Sequence, residues 1–232
     1  MNYPISRLPD GRLLRSTVSA QVYEHLLEAL VSQQIRPGER LTLEQLAQEL
    51  GVSHTPVRQA LARLESEGIV RSEPHRGASV PTLDSRDIRE LFEARLLCEL
   101  FAVEKAFPSL SAETFARLRK LSEAYQEASG QVSPAGRVAL ARIELEFHGA
   151  IVALAANARI SAMFRQLGVH VQTTLLLGSR LAVRDASSVP EHEAFLIALE
   201  QRDLGAAKAR LAEHINNSRD FLLSNLATSR DS

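Results

Sequence analysis

Apolar positions recur three and four residues apart along most of this chain, and the breaks in that rhythm divide it into elements. Val22, Leu26, Leu27, Leu30 and Val31 mark a first helix over about Thr17–Gln34. "IRPGERL" interrupts it with Pro37 and Gly38. "TLEQLAQEL" predicts a short second helix stopped by Gly51, a natural residue just past a helix end. "VSHTPVRQALARLESEG" predicts a third helix, with Ser53 as N-cap and Pro56 in the first turn, where a missing N–H costs little. Val57, Leu61 and Leu64 form its buried edge, and Gly68 ends it. "IVRSEPHRGASV" then predicts a β-hairpin. Ile69 and Val70 fall on one arm, Ser79 and Val80 on the other, and "PHRG" at the tip.

After the short linker "PTLDS" the pattern changes. Helical periodicity covers roughly 84–106, 111–129, 134–156, 158–182, 187–201 and 203–225, with no strand signal after Val80. Short connections between helices favour antiparallel neighbours. The expected fold is mainly α: a winged helix-turn-helix of three helices plus a β-hairpin wing, followed by an antiparallel all-α bundle of about six helices. The expected organisation is a mobile arm over 1–16, the winged module over 17–80, a linker over 81–85, the bundle over 86–225 and a tail over 226–232.

Composition narrows the class. The chain has 232 residues, 45% hydrophobic and 24% charged, with a net charge of −1. This is ordinary soluble composition, and total charge points to no polyanionic partner. Only Lys105, Lys120 and Lys208 are lysines, so the cations are nearly all Arg, which suits bidentate contacts to carboxylate, phosphate or guanine. The single cysteine, Cys98, sits among apolar residues as a core filler and fits a reducing cytoplasm. No run is long and apolar enough to span a bilayer, and "MNYPISRLPDGRLLRS" lacks a signal-peptide h-region. The expected location is cytoplasmic.

A short helix, a tight Gly turn and a second helix set that second helix into a DNA major groove, with its N-terminal residues toward base edges. Here those residues are His54, Thr55, Arg58 and Gln59. Arg58 can grip a guanine through O6 and N7. Arg76 and Gly77, at the hairpin tip, could enter a minor groove. The stretch "RPGERLTLEQLAQELGVSHTPVRQALARLESEGIVRSEPHRGASV" strongly resembles the winged-helix domain of the GntR family of bacterial transcription factors. The resemblance places Thr55, Arg58 and Gly77 on family DNA-contact positions. His54 stands where the family often has Arg, and Thr42–Leu43 near where an acidic, Arg-bearing helix start is usual. These departures imply an altered operator sequence.

The bundle carries polar residues on apolar stripes. Glu144 and His148 share a helix face with Leu140, Phe147, Ile151 and Ala155. His192 falls with Leu196 and Leu199, and His214 with Leu204, Leu211 and Ser218. Four converging N and O donors suit a divalent ion, Zn, Ni, Mn or Fe; the remaining reading is a metal-free polar pocket with Glu144 paired to the histidines. Arg95 shares a stripe with Leu91, Cys98 and Ala102, either as an internal salt bridge to Glu99 or Glu144 or as a clamp on a ligand carboxylate. His25 and His75 read as a surface residue and a wing-tip residue, while His170, Gln172, Thr173 and Arg180 are weaker pocket candidates.

The helical part, about 84–225, resembles the FCD ligand-sensing domain of the FadR-like branch, through "RELFEARLLCELFAVEKA", "EFHGAIVALAAN" and "EHEAFLIALEQRDLGAAKARLAEHI". Many such domains bind a metal through one Asp and three His. The His positions match, and Glu144 occupies the Asp position. An Arg at the position of Arg95 often lies in the effector pocket. The resemblance therefore implies a non-enzymatic, homodimeric regulator, more often repressor than activator. Its partners would be a pseudo-palindromic double-stranded DNA operator and a small carboxylate effector, with no membrane. Two alternatives are a bundle that only dimerises and a metalloenzyme fused to a DNA-binding module.

Overall fold

The computed structural model describes residues 17–32, 34–73, 77–82, 84–131, 133–168 and 181–230, with backbone only at 73, 134, 181–186 and 227–230. Arg76, His75, His170, Gln172, Thr173 and Arg180 therefore lie outside the description, as do the arm over 1–16 and the last two residues.

The N-terminal module holds α1 (Val18–Val31), α2 (Leu43–Leu50) and α3 (His54–Ser66). Thr17 caps α1 by accepting from the Ala20 N–H, and Thr42 caps α2 by accepting from Gln45. Gly51 ends α2 with φ +64, a left-handed conformation that costs Gly nothing. Ser53 occupies the N-cap of α3 but its side chain makes no capping bond. The sheet has three strands: β1 (Arg40–Leu41), β2 (Arg71–Glu73) and β3 (Gly77–Ser79), in antiparallel order β1-β3-β2. The first wing strand therefore starts at Arg71, two residues after Ile69, while the second starts at Gly77, two residues before Ser79. Ile69 and Val70 are buried, but in the bend after α3, where they join the core.

Gly77 has a structural reason to be glycine. Its φ is +96, and a Cβ there would lie 2.2 Å from the Leu41 carbonyl oxygen. The short strand β1, which apolar periodicity could not reveal, thus fixes a wing residue that sequence reasoning assigned to DNA approach. The module's core is Leu26, Leu30, Val57, Leu64, Ile69 and Val80 with their neighbours.

Among the described residues the bundle holds α4 (Ser85–Ala106), α5 (Ala112–Ala128), α6 (Pro134–Ala153), α7 (Ala158–Leu167), α8 (Leu181–Glu200) and α9 (Leu204–Arg230), with a short 3-10 turn at Phe107–Ser109. Asp84 and Asp87 form a reciprocal capping box at the start of α4. Gly168, φ +53, stops α7, so the expected helix over 158–182 is shorter and α8 begins earlier than residue 187. Helix α9 packs along both α8 and α4, and α5 along α6. Phe92, Phe147, Phe195, Leu118 and Ile151 fill the core, each contributing about 1.5–3 kcal/mol by burial.

The two modules meet through α6. Val138 of α6 is buried in the N-terminal core, and Arg142 Nη2 bonds the Glu24 carboxylate at 2.9 and 3.1 Å. Tyr23 Oη donates to Glu67 at 2.6 Å, and Arg63 of α3 lies 3.7 Å above the Tyr23 ring. The pocket between the modules pushes the Tyr23 hydroxyl up to about 12, through burial first and Glu67 second. Among the described residues no helix is long and apolar enough to cross a membrane.

Candidate metal centre

Three helices deliver the four inward polar side chains. Glu144 and His148 come from one face of α6, His192 from α8 and His214 from α9. All three histidines are buried and Glu144 nearly so. One donor atom from each of the four residues lies within 4.8 Å of the others. The sequence-predicted ligand set is therefore brought together in full.

Hydrogen bonds behind the rings fix which nitrogen faces the centre. Nδ1 of His148 lies 2.6 Å from Glu99 Oε2, and Nδ1 of His214 lies 2.7 Å from Glu191 Oε2. A carboxylate accepts, so each Nδ1 carries a proton and donates it. In the neutral rings that leaves a lone pair on each Nε2. The two Nε2 atoms are 3.1 Å apart, in rings stacked within 12° of parallel. Two lone pairs at that distance repel unless a positive charge lies between or beside them. Glu144 Oε1 sits 3.1 Å from one Nε2 and 3.5 Å from the other.

His192 adds the third imidazole. Its Nε2 is 3.4 Å from Glu144 Oε2. Its ring stacks on Phe147, centroids 4.4 Å apart, and meets Tyr125 edge-on at 5.0 Å. Among the described residues neither His192 nitrogen has a hydrogen-bond partner, and neither does Glu144 Oε2, although all three atoms are buried. Leaving such atoms unsatisfied costs about 1–3 kcal/mol each. A divalent cation would satisfy Glu144 Oε2 and the one His192 nitrogen that carries a lone pair. Three imidazoles and one carboxylate are a borderline set that Zn, Ni, Mn or Fe accepts.

The electrostatics follow from the same neighbours. Burial alone would raise the Glu144 carboxyl, but His192 and His148 hold it well below the usual carboxylate range. Burial drives His192 well below the ordinary imidazole value, against the pull of Glu144. For His148, burial and Arg95 pull downward, yet Glu99 and Glu144 prevail and raise it.

Arg95 is buried on α4. Its Nε donates to Glu99 Oε1 at 2.6 Å, while Nη2 is buried with no partner among the described residues. The internal salt bridge and the ligand clamp therefore coexist as readings: one edge of the guanidinium is taken and one donor is left over. Glu99 as the partner of His148, and Glu191, were missed in the sequence. The signal for Glu99 was present, since it falls one helical turn beyond Arg95 on a buried stripe. Glu191 directly precedes His192, a position that periodicity assigns to a different face.

In the N-terminal module His54, Thr55, Arg58 and Gln59 are all exposed on the first two turns of α3. Gly77 lies at the start of β3.

Comparison with known proteins agrees with this architecture. Residues 18–80 match the family described as bacterial regulatory proteins, gntR family, and residues 90–217 match the FCD domain. A probable D-xylose utilization operon transcriptional repressor of Paenarthrobacter nicotinovorans is 29% identical over 206 residues, 88% of each chain. A gluconate operon transcriptional repressor of Bacillus licheniformis is 27% identical, covering 84% of this chain and 81% of its own. The solved structure of E. coli McbR/YncC superposes with a TM-score of 0.65 at 26% identity, covering 90% of this chain and 99% of that one. The chain belongs to the GntR family of bacterial regulatory proteins, in the branch that carries an FCD domain, and is a DNA-binding transcriptional regulator, not an enzyme.

Proposed function

We propose that this protein is a homodimeric repressor whose operator affinity is set by a small organic acid, held at a divalent metal in the bundle and by Arg95. The observation that carries the reading is the set of three buried imidazoles and one carboxylate with orphaned atoms, beside a buried guanidinium with a spare donor. Glu144, His148, His192 and His214 would hold the ion, which supplies positive charge and open positions for an anionic ligand. The relatives that repress operons for xylose and gluconate use support the regulatory half, and gluconate is itself a hydroxy acid. A melting series on metal-loaded protein with citrate, malate and gluconate tests the effector half. A ligand selective for the native state raises the melting temperature, and the same acid should alter operator binding.

Helix α6 offers a route between the sites. It carries Glu144 and His148 in the bundle and Val138 and Arg142 against the DNA-binding module. A ligand shifts operator affinity only by binding one dimer geometry better than another. A change in how α6 sits would reach α1 through Glu24 and α3 through the Tyr23–Glu67–Arg63 contacts.

DNA contact rests on α3. Arg58→Ala should weaken operator binding by about 1–3 kcal/mol and blur preference at one base position, measured by anisotropy titration with operator variants. Unchanged affinity and base preference would remove Arg58 from the base-reading set. His54, Thr55 and Gln59 flank it. Arg76 and Gly77 complete the proposed interface at the wing.

A two-fold operator needs two recognition helices. The face for dimerisation is proposed on α4 and α7, where Leu97, Phe101 and Met163 are 74%, 45% and 57% exposed. The two helices pack on each other through Cys98 and Phe164. Leu97→Asp should halve the mass seen by light scattering at micromolar concentration and weaken operator binding. A variant that remains dimeric would place the interface elsewhere.

A further inference from the structure

Glu99 touches both halves of the proposed site. It is fully buried on α4. Its Oε1 accepts from Arg95 Nε and its Oε2 from His148 Nδ1, both at 2.6 Å. Glu191 plays a similar part behind His214, but it is partly exposed and also accepts from Asn217. His192 has no such support on either nitrogen. The three imidazoles are thus held unequally.

We propose that Glu99 is the positioning residue of the site: one buried carboxylate that fixes the His148 tautomer for a metal and the Arg95 guanidinium for an anion. The inference rests on the metal reading above. The reasoning is one of donors and acceptors. With both oxygens accepting, Glu99 forces the His148 proton onto Nδ1 and aims the Nε2 lone pair at Glu144 and His214. It also occupies Nε of Arg95 and leaves Nη2 as the unpartnered donor. An amide in its place has one acceptor and one donor group. Because the two neighbours sit on different oxygens of Glu99, an amide held in the same place cannot accept from both. Either Arg95 meets an N–H, or His148 does and its proton must move to Nε2, where it blocks ligation.

The test uses the full-length dimer and Zn²⁺ alone, measured by competition with a chelating dye. Glu99→Gln should bind Zn²⁺ about 10- to 100-fold more weakly than wild type. Glu191→Gln should lose less, because water can replace its partner. Long-range ¹⁵N–¹H spectra of the histidine rings in metal-free protein give a readout that general loosening of the core would not move. Wild-type His148 should appear as the Nδ1–H tautomer or, where protonated, with both nitrogens carrying hydrogen. In Glu99→Gln at pH values where the ring is neutral, Nε2–H should appear. Equal Zn²⁺ affinity in wild type and Glu99→Gln would overturn the proposal. So would a neutral Nε2–H tautomer at His148 in the wild type, a measurement that stands even if Glu99→Gln does not fold. If wild type takes up no Zn²⁺, the metal reading fails, and the wild-type tautomer still decides what Glu99 does.

Discussion

His148→Ala is expected to carry no metal where the wild type carries one divalent ion per chain, as read by elemental analysis of untagged protein. His148 contributes one ligand atom to the centre and one link behind it. Its Nε2 lies 3.1 Å from both Glu144 Oε1 and His214 Nε2, and its Nδ1 is the link to Glu99. Removing it deletes a ligand and leaves the buried Glu99 with Arg95 as its remaining strong partner. The loss should exceed the about 10- to 100-fold typical of changes behind the ligands. His25→Ala on α1, far in sequence from the site and only half-buried, should keep its metal. Equal metal in His148→Ala and wild type would sink the assignment. So would a metal-free wild type after reloading with Zn, Ni, Mn and Fe in turn.

The same residue gives the pH dependence a direction. Burial and Arg95 lower the His148 value, but Glu99 and Glu144 raise it above the ordinary imidazole range. A metal must displace that proton, whereas His192, driven low by burial, has none to give. Metal affinity should therefore rise with pH through the raised His148 value and fall away on acidification. A pH-independent affinity would mean that His148 is neutral before the metal arrives.

The positions of these ligands were legible from sequence because a helix repeats its faces. Glu144 and His148 are one turn apart, and His192 and His214 each align with leucines, so inward direction could be read residue by residue. Which atoms pair was not legible. That His148 turns Nδ1 toward α4 depends on helix packing across 49 residues of chain, and periodicity holds no information about it. The fold shows the same division. Apolar spacing located α1 to α6 within a few residues, but extended a helix past Gly168, whose left-handed backbone is a local event inside a continuing pattern. It also assigned Ile69 and Val70 to a strand because they are apolar and β-branched. They are buried in a bend, and the strand begins at Arg71. Two-residue β1 carries too few positions to show any period, yet it decides why residue 77 is glycine.

Arg95→Lys is expected to fold, keep its metal and bind operator, but lose its response to acids. Arg95→Ala is the weaker experiment. It would strand Glu99 without its cation in a fully buried setting, and breaking a buried pair in that way costs about 3–5 kcal/mol. Failure to respond would then be confounded with failure to fold. Lysine retains a positive charge beside Glu99 while removing the planar fork, and with it the unpartnered Nη2. A charge-assisted hydrogen bond of about 1.5–3 kcal/mol corresponds to roughly 10- to 100-fold in acid affinity. The check is the acid-dependent rise in melting temperature of metal-loaded protein, alongside release of labelled operator. Both should flatten in Arg95→Lys while operator affinity without acid stays at the wild-type value, since residue 95 lies in the bundle and the DNA contacts lie on α3. A full acid response in Arg95→Lys would mean that the metal alone holds the acid, and that the spare guanidinium donor has another partner in the working protein.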